Sequence, residues 1–417
     1  MNSSQQPPAS PGLMSTGISG PLTGVRVLEL SGVGPTPFAG MMLADLGAEV
    51  LRIDRVNDGE DVLTASRADL MARGRRSLAL DLKSDEGRDI LLALVESHDV
   101  LLEGFRPGVC ERLGIGPQAC QSANERLVFA RMTGWGQDGP LAAAAGHDIN
   151  YMAAAGGLHP IGTDAAPPVP PLNFVADFGG GGMLVVVGIL AALLERQRSG
   201  RGQIIDAAMV DGVTIQTAQL QGLIQSGAWT EQRAANKLDG GAPFYRSYQT
   251  LDGKYVAVSA LEARFYRTFL TELGLDPQQW PQDDRSLWPA LHQLVADIFL
   301  QRSRDDWESH FAGTDACVSA VMSPSEARTH EHLVARRAFI ELDGLHHPVP
   351  APRFSRTPTS LSTGPVSAGE HTREVLHGLG FTAGDIDDLH RRGIVRAEVD
   401  QHHRASDLPR VAPAEGK

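Results

Sequence analysis

The sequence predicts an α/β protein: a large domain on a parallel sheet, followed by a smaller α+β domain. Three observations lead there. Between 25 and 205, the apolar segments "VRVLEL", "EVLRID", "SLALDL", "HDVLLEGF" and "RLVFARMTG" read as strands, with helices near 38–47, 85–97 and 117–124. Near-continuous apolar strands alternating with helices are the pattern of a parallel sheet covered on both faces. At 244 the character changes, and "FYRSYQTLDGKYVAVSA" gives two strands around an Asp-Gly turn, with helices at 262–273, 287–302 and 304–312. The third observation is the proline-rich 348–365, "PVPAPRFSRTPTSLSTGP", an extended segment before amphipathic helix at 372–395.

Taken in order, residues 1–20 read as a disordered extension and 21–205 as the large domain. Residues 206–243 form a linker of helix and loop, 244–335 the small domain, and 336–417 a return to the large domain and a tail. Within the large domain, "DAAPPVPP" at 164–171 is a rigid loop before a helix at 181–198. The apolar run of that helix, "MLVVVGILAALL", is too short to span about 30 Å of hydrocarbon and reads as buried.

Composition narrows the function. The chain has 417 residues, 42% hydrophobic and 21% charged, with a net charge of −13. That balance argues against nucleic acid or an acidic membrane as partner, since both need a broad basic surface. Cys110, Cys120 and Cys317 form no C-x-x-C and read as reduced thiols. The first 20 residues lack the pattern of a signal peptide, and the end "AEGK" is not a peroxisomal address, so the expected location is cytoplasmic. No histidine pair ("HEH" at 330–332, His346–His347, His402–His403) belongs to a ligand set, so no metal is expected. Neither a P-loop nor a G-x-S-x-G elbow is present.

The turn "SGVGPTPFAG" at 31–40 resembles the start of a dinucleotide fingerprint, with Gly32 and Gly34 in place. Such a loop works through consecutive N–H groups aimed at pyrophosphate. Pro35 and Pro37 remove two of those donors, and Pro37 stands where the third glycine belongs. The turn therefore argues for a sheet-top loop that does not hold NAD.

Several further stretches occur in one order along the chain. They are "PLTGVRVLELSGVGPTPFAGMMLADLGAEVLRIDR" (21–55), "RRSLALDLKSDEGR" (75–88), "LLEGFRPGVCERLGIGP" (101–117) and "RMTGWGQDGP" (131–140). "AGHDINYMAAAGGL" (145–158), "PPLNFVADFGGGGM" (170–183), "GQIIDAAMVDG" (202–212) and "LDGKYVAVSALEARFY" (251–266) continue the series. Together they resemble the α-methylacyl-CoA racemases of the family III CoA-transferase superfamily over roughly 21–360. The resemblance implies a Rossmann-like large domain, a small domain, and an interlocked homodimer. It also implies an acyl-CoA thioester as substrate, with CoA part of that substrate and no separate cofactor.

A racemase of this kind needs two acid/base groups on opposite faces of a planar enolate, and stabilisation of the oxyanion. The resemblance assigns these groups to His147 in "GHDINY" and Asp177 in "NFVADFGGGG", with Glu262 of the partner subunit orienting His147. An unperturbed histidine pKa of about 6.5 suits either role at neutral pH. Asp177 must be protonated for part of the cycle, so its apolar neighbours Phe174, Val175 and Phe178 are expected to raise its pKa. The adjacent Asp148 is a second candidate to orient His147. "GGGG" at 179–182, before the apolar helix, is either a set of bare N–H donors for the oxyanion or a close packing surface.

For substrate and CoA binding the resemblance gives Arg55, then Leu80, Asp81, Leu82 and Lys83, then Gly104, Phe105 and Arg106, and Arg112. It adds Gly146, Asp148, Ile149, Asn150 and Tyr151 beside His147. Arg73, Arg75 and Arg76 are expected to extend a local basic rim, and Met152, Met183 and Met209 to offer either an acyl surface or core packing. The main alternative is a CoA-transferase of the same superfamily, with Asp177 attacking the thioester to form a mixed anhydride. A non-catalytic acyl-CoA binder is a third reading. His147 together with Glu262 favours proton transfer, because a transferase needs no second base.

Overall fold

The computed structural model describes residues 19–57, 69–361 and 363–397. Most of the expected N-terminal extension and the tail beyond 397 lie outside them. The strands, in chain order, are β1 (Arg26–Leu30), β2 (Glu49–Asp54), β3 (Arg75–Leu80), β4 (Val100–Glu103), β5 (Val128–Thr133) and β6 (Ile204–Ala208). They continue as β7 (Tyr245–Gln249), β8 (Tyr255–Ser259), β9 (Val318–Ala320), β10 (Phe339–Leu342), β11 (Leu345–Pro348) and β12 (Val395–Arg396). The expected α/β class holds: one seven-stranded sheet runs β12-β3-β2-β1-β4-β5-β6. β1 pairs in parallel with both β2 and β4, β2 with β3, and β4 with β5.

The sequence of this sheet explains its burial. Every residue of β4 and β5 is buried, as strands covered on both faces require. Helix Asp85–Val95 packs Ile90, Leu91, Leu94 and Val95 inward, the 3-4 spacing of one helical face. Ser84 caps it, its Oγ accepting from the Gly87 N–H at 3.0 Å. From β1 the chain fills the sheet outward through β2 to β3, then crosses to β4 on the other side. The strand order therefore reverses between β1 and β4, the place where open α/β sheets hold ligands at their carboxyl ends.

The C-terminal segment closes the β3 edge. β12 pairs antiparallel, setting Val395 opposite Leu80, and Asp81 N–H donates to the Ile394 carbonyl at 2.8 Å. Ser77 Oγ accepts from Gly369 N–H at 2.7 Å, and Thr372 Oγ1 accepts from Ala79 N–H at 3.2 Å. Arg73 joins Asp45 at 2.6 Å and donates to the Pro348 carbonyl at 2.7 Å. An open sheet edge is thereby paired and covered.

The described residues divide into two compact units. One holds those up to Thr133, Gly182–Ala207 and those from Glu341 onward; the other holds Gly134–Gly181 and Ala208–Ile340. Residues 134–181 thus group with the second unit, where sequence order had placed them with the sheet. Helix Asp148–Ala154 packs against helix Met209–Gln216, which accounts for that grouping. The second unit also contains the antiparallel sheet β7-β8-β9 and a separate aromatic core of Phe244, Phe269, Phe299, Trp307 and Phe311. Gly253 takes φ +75° in the β7–β8 turn, which is why the Asp-Gly pair sits there.

One helical stretch is longer than the sequence suggested. Phe174–Ser199 runs for 26 residues and is long and apolar enough to cross a membrane by length and composition. Only one face of it is buried, through Val185, Val186, Ile189, Ala192 and Leu193, whereas Met183, Val187 and Leu194 are exposed, so the expected full burial of this helix does not hold.

Candidate active site

Two groups of candidate residues sit on different parts of the fold. The first lies at the carboxyl ends of the parallel strands. Arg55 directly follows β2, Asp81 follows β3, and Gly104 follows β4. Arg55, Lys83, Arg106 and Arg112 are all exposed. Asp81 is spent on structure: its Oδ1 accepts from Lys83 N–H at 3.1 Å and its carbonyl accepts from Ser84 Oγ at 2.7 Å, which turns the chain into the next helix. Leu80 is buried in the sheet and Leu82 packs on the core, so Lys83 is the exposed cation of that segment. Glu103 is buried at the end of β4, and its Oε2 accepts the Phe105 N–H at 2.6 Å.

The turn after β1 borders this group. Gly34 takes φ +71°, and Pro35 opens helix Pro35–Asp45. Thr36, in the first helical turn, is buried, and its side chain lies against Gly104, where any Cβ would overlap Thr36 Oγ1. Glycine at 104 is therefore needed for the β1 and β4 loops to meet at the reversal of strand order.

Two expectations about arginines are corrected here. Arg73 and Arg75 do not belong to a basic rim. Arg73 is buried in its ion pair with Asp45, and Arg75 pairs with buried Glu29 at 2.8 Å. Only Arg76 of the three is partly exposed, and Glu374 holds it at 3.0 Å. Charges buried this deeply are tolerated only because they are paired.

The second group is built by "GHDINY" and "NFVADF". His147 is exposed and precedes helix Asp148–Ala154, with Asn150 Oδ1 accepting its backbone N–H at 3.0 Å. Asp148 points inward instead of toward the imidazole. Its Oδ2 accepts from the backbone N–H groups of Ala176 and Asp177, each at 2.8 Å. One buried carboxylate thus fastens the His147 loop to the turn that carries Asp177, and it caps that helix start. Asp177 is half-buried; desolvation first, then the Asp148 charge, raise its pKa above the ordinary carboxylate value, against an Asn173 hydrogen bond and His147.

Tyr151 fixes the loop from behind. Its hydroxyl donates to the Gly146 carbonyl at 2.5 Å, and its ring meets Trp135 edge-on with centroids 4.8 Å apart. Side chains at Gly134 or Gly146 would collide with that ring. Ile149 and Asn150 face outward. Glu262 is exposed just before helix Ala263–Glu272, and no hydrogen bond or ion pair joins it to His147 among the described residues of one chain.

The glycine run is not at a helix N-terminus. Residues Phe174–Met183 already form a widened helical segment, with Phe178 N–H donating five residues back to the Asn173 carbonyl. A Cβ at Gly212 would overlap the Gly180 carbonyl oxygen, so these glycines serve close helix packing. Met152 and Met209 are buried in the core, whereas Met183 is exposed. Among the described residues no group of three or more His, Cys, Asp or Glu side chains is placed to hold a metal; His402 and His403 lie outside them.

The model of CoA-transferase family III matches residues 22–372. The chain belongs to this family. Family III relatives include "Alpha-methylacyl-CoA racemase" of Mus musculus, 46% identical over 383 residues, covering 90% of this chain and 98% of the relative. The Homo sapiens protein of the same name is 43% identical over the same shares. Among solved structures, a CAIB/BAIF family protein from Brucella suis is similar, with a TM-score of 0.75 at 25% identity over 87% of this chain and all of that one.

Within this family III chain, residue-level reading overlooked two participants. The linking role of the Asp148 carboxylate was not visible, because its partners are backbone N–H groups 28 and 29 positions away. The buried pair of Glu103 and Arg131, at 2.9 Å, was also missed. A signal existed for it: a glutamate ends the apolar strand β4 and an arginine stands inside β5.

Proposed function

We infer that the chain is a racemase that interconverts the (R) and (S) forms of 2-methylacyl-CoA thioesters. The observation that carries the reading is the Asp148 bridge, which ties the His147 loop to a half-buried Asp177 whose carboxyl is biased toward its protonated form. The names of the mouse and human relatives support the same activity.

Neutral His147 removes the α-proton, and the electron pair of the C–H bond moves into the thioester carbonyl to give an enolate. The imidazolium left behind balances the enolate charge. Protonated Asp177 returns a proton to the opposite face and becomes the carboxylate. In the reverse direction Asp177 is the base and imidazolium is the acid. A carboxyl with an ordinary pKa would be a poor proton donor at neutral pH, so its burial beside Asp148 serves the reaction directly.

The exposed cations Arg55, Lys83, Arg106 and Arg112 at the strand ends are suited to the phosphates of CoA. Glu262 of the partner subunit orients His147, which makes the active form a homodimer. The protein itself needs no separate cofactor. The buried free thiols Cys110 and Cys120 suit a reducing compartment, and we place the enzyme in the cytoplasm.

The test is incubation of one 2-methylacyl-CoA epimer in D₂O. Deuterium enters the α-position with epimerisation and without any added acid. Transfer of CoA that depends on an added acceptor would instead establish Asp177 as the nucleophile of a transferase.

A further inference from the structure

β5 sets Arg131 directly opposite Glu103 of β4, and the two side chains meet at the carboxyl end of the sheet. Arg131 Nε donates to Glu103 Oε1 at 2.9 Å. Its other two nitrogens reach Glu111 on helix Val109–Arg112, at 2.8 and 3.2 Å, in a two-point clasp. The second oxygen of Glu103 accepts the Phe105 N–H at 2.6 Å. One guanidinium therefore anchors both ends of the loop that runs from Gly104 to Arg112. That loop carries the exposed cations Arg106 and Arg112, and it lies at the reversal of strand order.

An arginine on a strand interior normally costs stability unless something compensates, and a pair of apolar residues would fill the same space at less risk. What the apolar pair cannot do is fix a loop backbone and a short helix at once. A planar guanidinium with fixed donor directions can. Gly108 between the two anchor points takes φ +80°, and a Cβ there would crowd the Arg112 guanidinium at 3.1 Å, so the loop is compact as well as tethered.

We propose that Arg131, with Glu103 and Glu111, is a positioning unit that holds the 104–112 loop in the conformation that grips the phosphate-bearing part of a CoA thioester. It acts through Arg106 and Arg112 and takes no part in proton transfer. The inference rests on the acyl-CoA reading above, and it assigns to binding a cluster that lies outside the proton-transfer residues.

Glu111→Gln is the primary variant, because Glu111 is exposed and its loss leaves the buried Glu103–Arg131 pair intact; Arg131→Met is the second. Free CoA binding is measured by titration calorimetry, and KM and kcat are measured for epimerisation. Glu111→Gln is expected to raise both the Kd for CoA and the KM roughly 5- to 10-fold while kcat stays within about twofold. Combining Glu111→Gln with Arg112→Ala is expected to weaken CoA less than the product of the two single effects, because both act on one contact. A merely structural role would lower kcat or the active fraction and leave Kd unchanged, and that result overturns the proposal. If the wild-type protein itself shows no CoA binding, the acyl-CoA reading fails and the proposal falls with it.

Discussion

In the proposed mechanism, Asp177 and His147 do different jobs with the same pair of states. His147→Ala and Asp177→Ala are each expected to lower epimerisation by at least about 10³-fold, with near-unchanged KM, since each removes one of two obligatory proton carriers. Wild-type turnover in either variant sinks the two-base reading. The pH dependence follows from the raised pKa of Asp177. A carboxyl whose folded pKa exceeds its unfolded value favours folding below the unfolded value, and that advantage is lost as pH rises through the folded pKa. Asp177→Asn removes the charged form, so the variant should melt at a higher temperature than wild type at neutral pH. The two melting curves should converge in acid, at and below the ordinary carboxylate range. Calorimetry at several pH values checks the sign.

At the scale of elements, the widened helix Phe174–Met183 and helix Met209–Gln216 meet at Gly180 and Gly212. Gly212→Ala places a methyl inside the Gly180 carbonyl and should cost about 1–3 kcal/mol, read from urea unfolding, with a matching loss of activity as the Asp177 turn shifts. Ser84→Ala removes the cap of helix Asp85–Val95 and should cost about 1 kcal/mol with kcat unchanged. The existence of most elements was legible in the sequence: EVLRID at 49–54 is β2 residue for residue, and the Asp-Gly hairpin became β7–β8. The start of the Asp177 helix was not. Gly-rich sequence reads as a loop because glycine lacks helix propensity, whereas here packing against Gly212 and capping by Asp148 override that tendency.

At the scale of the molecule, the β3 edge depends on the returning segment. Val395 is fully buried opposite Leu80, so Val395→Asp should destabilise the protein by several kcal/mol and promote aggregation, measured by thermal unfolding with light scattering. The proposed homodimer has its own test. Mixing inactive His147→Ala and Glu262→Ala chains and allowing exchange should restore activity, because a mixed dimer recovers one site with both residues intact. Failure to regain any activity after demonstrated exchange would place Glu262 in the same chain as His147, and full activity of Glu262→Ala by itself would place it outside the reaction.

By itself, the sequence determined the α/β class and the places of Arg55, Lys83 and Arg106 just beyond strands, and its family resemblance named His147 and Asp177 as candidate acid and base. Periodicity, turn chemistry and collinear motifs are local properties, and they survive without knowledge of contacts. Tertiary structure alone decided which charges are free. Arg73, Arg75 and Arg131 look no different in sequence from Arg55 or Arg112, but the buried carboxylates of Asp45, Glu29 and Glu103, each 28 or more positions away, claim the first three. It also decided that Asp148 turns away from its neighbour His147 to hold the backbone of Asp177. Pairing across a fold depends on which groups lose their water together, and no stretch of sequence records that.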